Sequence, residues 1–210
     1  MTRLFALVAA ALVIATVRPL PTQAGGDLLS RMAAVNPDLH SYTATMRAHV
    51  VMRSFPFVAT DLTGTYYFKA PDRSKLEITS GLPGMASAFS RLYPHIEPPS
   101  LWARYFVVTE RGHDGKVTTF TLVPRTRGTI DHIDARVDDA TATIVSMRWN
   151  YDNGGWAEMH DTYGRVQGNT VVVAQTGHVE EPAYKGDVTS TLSEYTINPP
   201  IADSVFEAPR

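Results

Sequence analysis

The sequence predicts a mainly β fold, a single antiparallel sheet accompanied by two helices. Hydrophobic residues follow a helical spacing before residue 36 and then alternate strictly with polar residues from Tyr42 onward. Turn-forming pairs such as Asp114-Gly115 recur between short apolar runs, which is typical of antiparallel meanders and not of βαβ units. No internal repeat, low-complexity segment or linker divides the chain. We therefore expect one folded domain.

The first residues have the features of an export signal. Arg3 precedes an unbroken apolar run over residues 4–17, and the small residues of Thr22-Gln23-Ala24 follow it. A run of about 14 residues is shorter than the roughly 20 that a membrane-spanning helix needs. We expect a signal peptide at 1–24 and a mature domain at 25–210, in the periplasm or secreted. An uncleaved anchor is the alternative.

Two segments have helical patterns. Residues 26–35 carry apolar residues at helical spacing, with Asp27 placed to cap the helix and Asn36-Pro37 placed to end it. The second helix is predicted at Met85 to Tyr93, between Gly84 and Pro94. Both are short and amphipathic, so we expect each to pack one apolar side on the sheet.

Ten segments have strand patterns. In the first of them, Met46 and Val50 alternate with Thr45 and Arg47, which predicts one apolar and one mostly polar face. Gly64 predicts a bulge or bend in the second. The ten segments are residues 42–53, 57–68, 74–79, 104–111, 116–123, 130–137, 143–151, 156–163, 170–179 and 187–197.

Composition excludes several classes of function. The chain has 19 basic and 21 acidic residues. Removal of the predicted signal takes away Arg3 and Arg18, which leaves 17 basic and 21 acidic residues. No basic cluster is present that could neutralise several phosphates, so we expect no nucleic-acid partner. The chain has no cysteine, so it forms no disulfide and has no cysteine-ligated metal site. We expect no cofactor.

Catalytic and metal-binding motifs are weak. Seven histidines are scattered one to an element, and the best local cluster is Asp131-His132-x-Asp134, whose His132 and Asp134 share a strand face. The chain has no G-x-S-x-G motif, and the carboxylate pair Glu180-Glu181 stands beside Pro182 in an expected loop. A solvated charged surface explains these groups better than a metal site or an active site. We expect a protein that is not an enzyme.

Apolar and aromatic bulk is the most informative feature. Large side chains on strand faces and on the second helix point toward a common interior, where they either fill a closed core or line a cavity. Methionines and flat rings suit a wall that accepts acyl chains of varying shape. The candidate cavity-wall residues are Met46, Val50, Tyr66, Phe68, Leu76, Ile78, Phe89, Met147 and Trp149.

The order of elements and three sequence stretches resemble the LolA-like family of outer-membrane lipoprotein carrier and sorting proteins. The stretches are Phe68-Lys69-Ala70-Pro71-Asp72-Arg73, Val137-Asp138 leading to Trp149, and Tyr195-Thr196-Ile197-Asn198 followed by Asp203-Ser204-Val205-Phe206. The resemblance implies that the sheet is curved as an open half-barrel around the two helices. Those carriers commonly have an arginine where this chain has Ala70, and they have an extra hairpin after the third strand.

The resemblance implies a non-catalytic periplasmic carrier. Its ligands would be a lipid or the acyl chains of a lipoprotein, and its partners would include a membrane-bound donor or acceptor protein. The alternative is an envelope protein-interaction or stress-sensing module built on the same fold, which would bind a peptide or protein edge-on.

The mature protein is predicted to begin near Gly25. N-terminal sequencing of protein recovered from the periplasmic or secreted fraction checks this, because signal peptidase cleaves after small residues such as Ala24. Recovery of exported protein that still begins at Met1 would contradict the prediction.

Overall fold

A computed structural model describes residues 24–54, 57–81 and 98–207. Ten antiparallel strands form one sheet in the order β3-β2-β1-β10-β9-β8-β7-β6-β5-β4. The edge strands β3 and β4 do not pair with each other, so the sheet stays open. The predicted antiparallel sheet, with its ten strands and its open half-barrel form, is confirmed.

The strands are β1 Ser41–Met52, β2 Ala59–Lys69, β3 Arg73–Ser80, β4 Phe106–Asp114, β5 Val117–Pro124, β6 Ile130–Asp138, β7 Thr143–Tyr151, β8 Trp156–Val166, β9 Asn169–Glu180 and β10 Lys185–Ile197. The helices are α1 Ala24–Ala33 and the one-turn α2 Trp102–Tyr105, and 3-10 turns lie at Pro99–Leu101 and Asp203–Phe206. Within the described ranges, neither helix has the length and apolar character that would let it cross a membrane.

Strand β1 shows how alternation gives the sheet two different faces. Ala44, Met46, Ala48 and Val50 are buried, whereas the residues between them are half-buried or exposed. The side that carries Met46 is called the inner face, and α1 packs on the same side of the sheet through contacts with the inner residues of β5 to β8. Burying one face of each strand is the reason that the register is fixed, since a slip by one residue would reverse the faces.

Gly64 marks the predicted irregularity in β2. The pairing of β2 with β3 shifts between Thr63 and Gly64. A Cβ atom added to Gly64 would lie 2.5 Å from the backbone oxygen of Glu77, which is too close for any side chain. The prediction of a bulge at this glycine is confirmed, and its physical cause is the close approach of the β3 backbone.

Two local predictions are wrong. α1 begins at Ala24, so Asp27 lies inside the first turn, where its carboxylate is 3.3 Å from the Arg31 guanidinium, and it does not cap the helix. Residues 104–105, predicted as strand, belong to α2, and β4 begins at Phe106. Residues 1–23 of the predicted signal segment 1–24 and the predicted helix from Met85 to Tyr93 lie outside the described residues.

The C-terminal segment is fastened to the first hairpin by charged side chains. The Asp203 carboxylate accepts hydrogen bonds from Lys69 Nζ at 2.6 Å and lies 2.7 Å from Arg73 NH1. Lys75 Nζ donates to the Val205 backbone oxygen at 2.6 Å. Two of the stretches that carry the family resemblance therefore meet in space, and we call this set of contacts the C-terminal clasp.

Asn198 closes the other side of the clasp. Its Oδ1 accepts hydrogen bonds from the backbone N–H groups of His40 and Ser41 at 2.8 and 3.2 Å. Its Nδ2 donates to the Asp38 backbone oxygen at 2.9 Å. A single amide thereby satisfies three backbone groups at the start of β1, which fixes where that strand begins.

Replacing Asp203 by asparagine is expected to lower the melting temperature at pH 7. The hydrogen bonds from Lys69 and then Arg73 hold the pKa of the Asp203 carboxyl below its usual value. A depressed folded-state pKa gives stability that is complete above the unfolded pKa of about 3.9 and is lost as the pH falls through the folded value. The difference in melting temperature between the wild type and Asp203→Asn should therefore become smaller as the pH falls. Thermal circular dichroism between pH 7 and pH 3 measures this difference.

The control for this experiment is Asp72→Asn. Asp72 lies in the turn between Lys69 and Arg73, beside the clasp, and its side chain makes no hydrogen bond or ion pair within the described part of the chain. It should melt like the wild type at every pH, and an equal loss in both variants would mean that net charge, and not the clasp, determines the effect.

Candidate functional site

The inner face carries two separate apolar clusters. The first, here called the helix cluster, forms where Leu28 and Met32 of α1 meet Trp102 and the inner residues of β5 to β9. Trp102 is only 1% exposed, and its ring meets Phe120 edge-on at 6.4 Å between centroids. Its buried strand residues include Phe120, Leu122, Ile133, Ala135, Val137, Ile144, Met147, Trp149, Ala157, Met159 and Val179.

The second, here called the aromatic cluster, lies on β1, β2, β3, β9 and β10. Tyr42 stacks on Tyr66 and Phe68 with ring centroids 5.8 and 5.1 Å apart, and it meets Tyr195 at 5.5 Å. The buried members are Ala44, Met46, Ala48, Val50, Leu62 and Leu192, and the half-buried members are Tyr42, Tyr66, Leu76, Ile78, Val172, Val188 and Tyr195. The helix cluster thus contains residues of α1, whereas the members of the aromatic cluster given above all lie on strands.

The structure divides the predicted cavity-wall residues between these clusters. Met147 and Trp149 lie in the helix cluster; Met46, Val50, Tyr66, Leu76 and Ile78 lie in the aromatic cluster, and Phe68 stacks on its Tyr42. Phe89 lies outside the described residues. The predicted set is thus brought to one face of the sheet but not to one site.

Burial separates these residues into two kinds. Met46, Val50, Met147 and Trp149 are 3% exposed or less and fill core space. The others that are described, on β2 and β3, are half-buried. A ligand could touch the half-buried group without displacing core atoms, whereas it could reach the fully buried group only if the packing opened. The role of all of them as a cavity wall stays a prediction.

A polar row borders both clusters. Ser190, Gln175 and Asp161 are register neighbours on β10, β9 and β8. Gln175 Nε2 donates to the Asp161 carboxylate at 2.8 Å, and Ser190 Oγ lies 3.5 Å from Gln175 Oε1. Gln175 and Ser190 are buried, at 7% and 5% exposure, while Asp161 is half-buried.

Two tyrosines complete this row. Burial raises the pKa of the Tyr163 hydroxyl, and the charge of the nearby Asp161 carboxylate acts in the same direction. Burial raises the pKa of the Tyr66 hydroxyl too, and the charge of Asp161 acts in the same direction. Burial also raises the pKa of Asp161 itself, against the hydrogen bond from Gln175.

Sequence reasoning missed this row, although a signal was present. The inner positions of β8 read Ala157, Met159, Asp161 and Tyr163, so a carboxylate occupies a place where the alternation calls for an apolar residue. A charged residue in the apolar phase of a strand is a specific reason to expect a buried polar site.

The outer face carries ion pairs instead. The charged groups that are register neighbours there are Asp187, His178, Glu158, Arg148 and Asp134, on five consecutive strands from β10 to β6. Some of them pair directly: His178 Nδ1 is 2.7 Å from the Asp187 carboxylate, and Arg148 lies 3.6 Å from Glu158. Elsewhere on this face, a depression of about 330 Å³ is lined by the side chains of Arg47, His49, Asp61 and threonines.

The weak motifs take part in these outer-face contacts. His132 lies 2.7 Å from Asp131 through Nδ1 and 3.0 Å from the Asn150 amide through Nε2, so both its nitrogens already have partners. Glu181 accepts a hydrogen bond from Asn153 at 2.7 Å. Within the described ranges, no three histidine, aspartate or glutamate side chains converge as metal ligands.

These features define a class of protein: an open single-sheet half-barrel with an apolar inner face, a helix packed against one part of it and a charged outer face. More specifically, the chain has a LolA-like fold, as the sequence resemblance predicts. No model of a known protein family matches the chain, and no curated protein matches it in sequence.

Three solved structures carry the assignment of the fold. A LolA superfamily protein from Nitrosomonas europaea has a TM-score of 0.63 at 9% identity and covers 87% of this chain and 97% of its own. A DUF1329 family protein from Desulfovibrio piger has a TM-score of 0.58 at 12% identity, covering 89% and 97%. A putative outer membrane lipoprotein-sorting protein domain from Vibrio parahaemolyticus has a TM-score of 0.56 at 10% identity, covering 86% and 94%.

Truncation of Leu28 is expected to weaken the attachment of α1 to the sheet. Leu28 is 3% exposed in the helix cluster, so Leu28→Ala should lower the free energy of unfolding by about 2–4 kcal/mol. Urea denaturation followed by tryptophan fluorescence measures this. Leu29→Ala is the control. Because Leu29 is only half-buried, this substitution should lower the free energy of unfolding clearly less than Leu28→Ala does. Equal losses would show that α1 is not held by its inner side.

Proposed function

We propose that this protein is a non-catalytic carrier of the cell envelope that binds acyl chains, of a lipid or of a lipoprotein, against its aromatic cluster. The observation that carries the proposal is the contrast between the two inner-face clusters. The helix cluster is packed with α1 and Trp102, whereas the aromatic cluster keeps half-buried apolar side chains toward the edge strand β3.

The shape and chemistry of the aromatic cluster suit a flexible chain. Tyr42, Tyr66 and Phe68 form a stacked aromatic surface, and Leu76 and Ile78 extend it along β3. Flat rings and branched aliphatic side chains give an acyl chain wide contact without demanding one conformation. A surface of this kind does not bind by hydrogen bonds, so it would accept chains of different length.

Burial of methylenes supplies enough free energy for useful affinity. Each methylene removed from water contributes about 0.8 kcal/mol, so ten of them contribute about 8 kcal/mol before losses. Association and the ordering of the chain cost about 4 kcal/mol or more. A remainder of a few kcal/mol corresponds to weak or moderate affinity, which suits a carrier that must also release its ligand.

The comparisons support this proposal at the level of fold. The similar Vibrio structure is described as a putative outer membrane lipoprotein-sorting protein domain. Export is supported by the charged start, apolar run and small residues of the first 24 positions. A periplasmic location after cleavage follows from that proposal.

Extraction of the purified protein followed by lipid mass spectrometry tests the proposal directly. A carrier expressed in a bacterial envelope should retain lipid in a defined molar ratio, and protein refolded from denaturant without lipid is the control for adventitious detergent. An envelope protein-interaction module on the same fold would yield no lipid. The outer-face depression beside Arg47 and His49 is where such a module has polar groups to offer.

A paired substitution locates the binding surface. Ile78 is a half-buried inner residue of β3, and its neighbour Thr79 is exposed on the outer face. Ile78→Asp should reduce uptake of the uncharged fluorescent probe phenylnaphthylamine by about tenfold or more, because an unpaired carboxylate in an apolar contact costs more free energy than a neutral polar group does. Thr79→Asp should bind like the wild type.

Thermal melts accompany both variants, so that loss of fold is separated from loss of binding. Equal uptake by the wild type and a folded Ile78→Asp would exclude the aromatic cluster as the binding surface. Absence of uptake by the wild type would refute acyl-chain binding as a whole.

A further inference from the structure

The inner face has an unbalanced charge. By register, the described strand residues that face inward include the carboxylates Asp161 and Glu110. Arg165, near the end of β8, is in the same phase, but it is exposed and donates to the Gly168 backbone oxygen at 3.1 Å. One oxygen of Glu110, Oε2, is buried without a hydrogen-bond partner among the described residues. A buried carboxylate normally has a cation or several donors nearby, because leaving its charge uncompensated is costly.

Asp161 is the carboxylate that borders the aromatic cluster. It is half-buried, and its neighbours in the polar row, Gln175 and Ser190, are buried. Ser190 pairs in register with Ala48 of β1, which is a member of the aromatic cluster, so the row continues directly into that surface. An acyl chain lying on the aromatic cluster would therefore place its polar end beside Asp161.

Asp161 is positioned to accept hydrogen bonds. Gln175 Nε2 donates to one of its oxygens at 2.8 Å, and the Tyr163 hydroxyl lies near it. Both groups are neutral, so they do not neutralise the carboxylate. A carboxylate offers about four acceptor directions, so sites remain for a further donor.

We propose that the polar row selects the head group of the bound amphiphile, with Asp161 accepting hydrogen bonds from a ligand ammonium group. The inference rests on the proposed acyl-chain binding. A ligand ammonium would supply the positive charge that neutral Gln175 does not give to Asp161. A carboxylate or phosphate head group would meet Asp161 with the same sign of charge, and such a contact is unfavourable in a site of low polarity.

A purely structural role for the polar row predicts a different behaviour. If Asp161, Gln175 and Tyr163 only satisfied one another, the identity of the ligand head group would have no effect on binding. A preference for one head group among ligands with identical chains therefore distinguishes a ligand-selecting role of the polar row from a purely structural one.

The test is displacement of phenylnaphthylamine from the full-length mature protein by dodecylamine, dodecanol and dodecanoate at pH 7. These three have the same chain length and differ in the charge of the head group. The wild type should release the probe at a dodecylamine concentration about tenfold lower than that of dodecanoate, with dodecanol between them. Asp161→Asn, which keeps the shape of the side chain, should bring the dodecylamine and dodecanoate values to within about twofold.

Two further variants make the result specific. Glu158→Gln removes a carboxylate from the outer face of the same strand and should keep the wild-type preference. Asp161→Ser also removes the charge at this position, so it should lose the preference for dodecylamine, and it takes the place of Asp161→Asn if that variant does not fold.

Each outcome has a defined meaning. Probe uptake without a head-group preference in the wild type would refute the ammonium site and leave acyl-chain binding standing. A preference that survives in Asp161→Asn or in Asp161→Ser, or that disappears equally in Glu158→Gln, would also refute it, since charge at Asp161 would then not be its cause. Absence of probe uptake by the wild type would refute the proposed function and this inference together.

Discussion

An open sheet cannot bury one face by strand pairing alone, and the organisation of this molecule follows from that constraint. Ten strands present a continuous inner face, yet β3 and β4 never meet to close a barrel. α1 and Trp102 cover the part formed by β5 to β8. The aromatic cluster keeps half-buried side chains on β2 and β3, so the same incomplete closure that limits core packing also leaves the apolar surface against which the proposed ligand would lie.

The C-terminal clasp makes the aromatic end of the sheet rigid enough to present that surface. Asp203 ties the last segment to Lys69 and Arg73, on either side of the turn between β2 and β3. Asn198 holds the first residues of β1 in place. Because β3 is an edge strand with only one neighbour, contacts from outside the sheet are what limit its fraying.

Much of the fold could be predicted because strand alternation and turn chemistry are local signals. The alternation of Met46 and Val50 with Arg47 indicates the two faces of β1. A glycine within a strand, Gly64, indicates a place where a neighbouring backbone comes close. The one-turn helix at Trp102 was not predictable, since four residues show no period, and its formation depends on the burial of one indole ring. The division of the inner residues into two clusters depends on register across ten strands, which sequence periodicity does not contain. The same limit hid the polar row, because Asp161 and Gln175 meet only after β8 pairs with β9.

The strand order has a consequence for the time course of folding. β1 and β10 are neighbours in the middle of the sheet, and Met46 pairs with Leu192 although roughly 150 residues separate them. The hairpins from β4 to β10 can form as soon as each emerges, since each strand pairs with the next. β1 to β3, by contrast, can join the sheet only after the last strand of the chain has appeared. The chain therefore carries an unfinished edge through most of its synthesis, and the step that completes the protein is the meeting of its two ends.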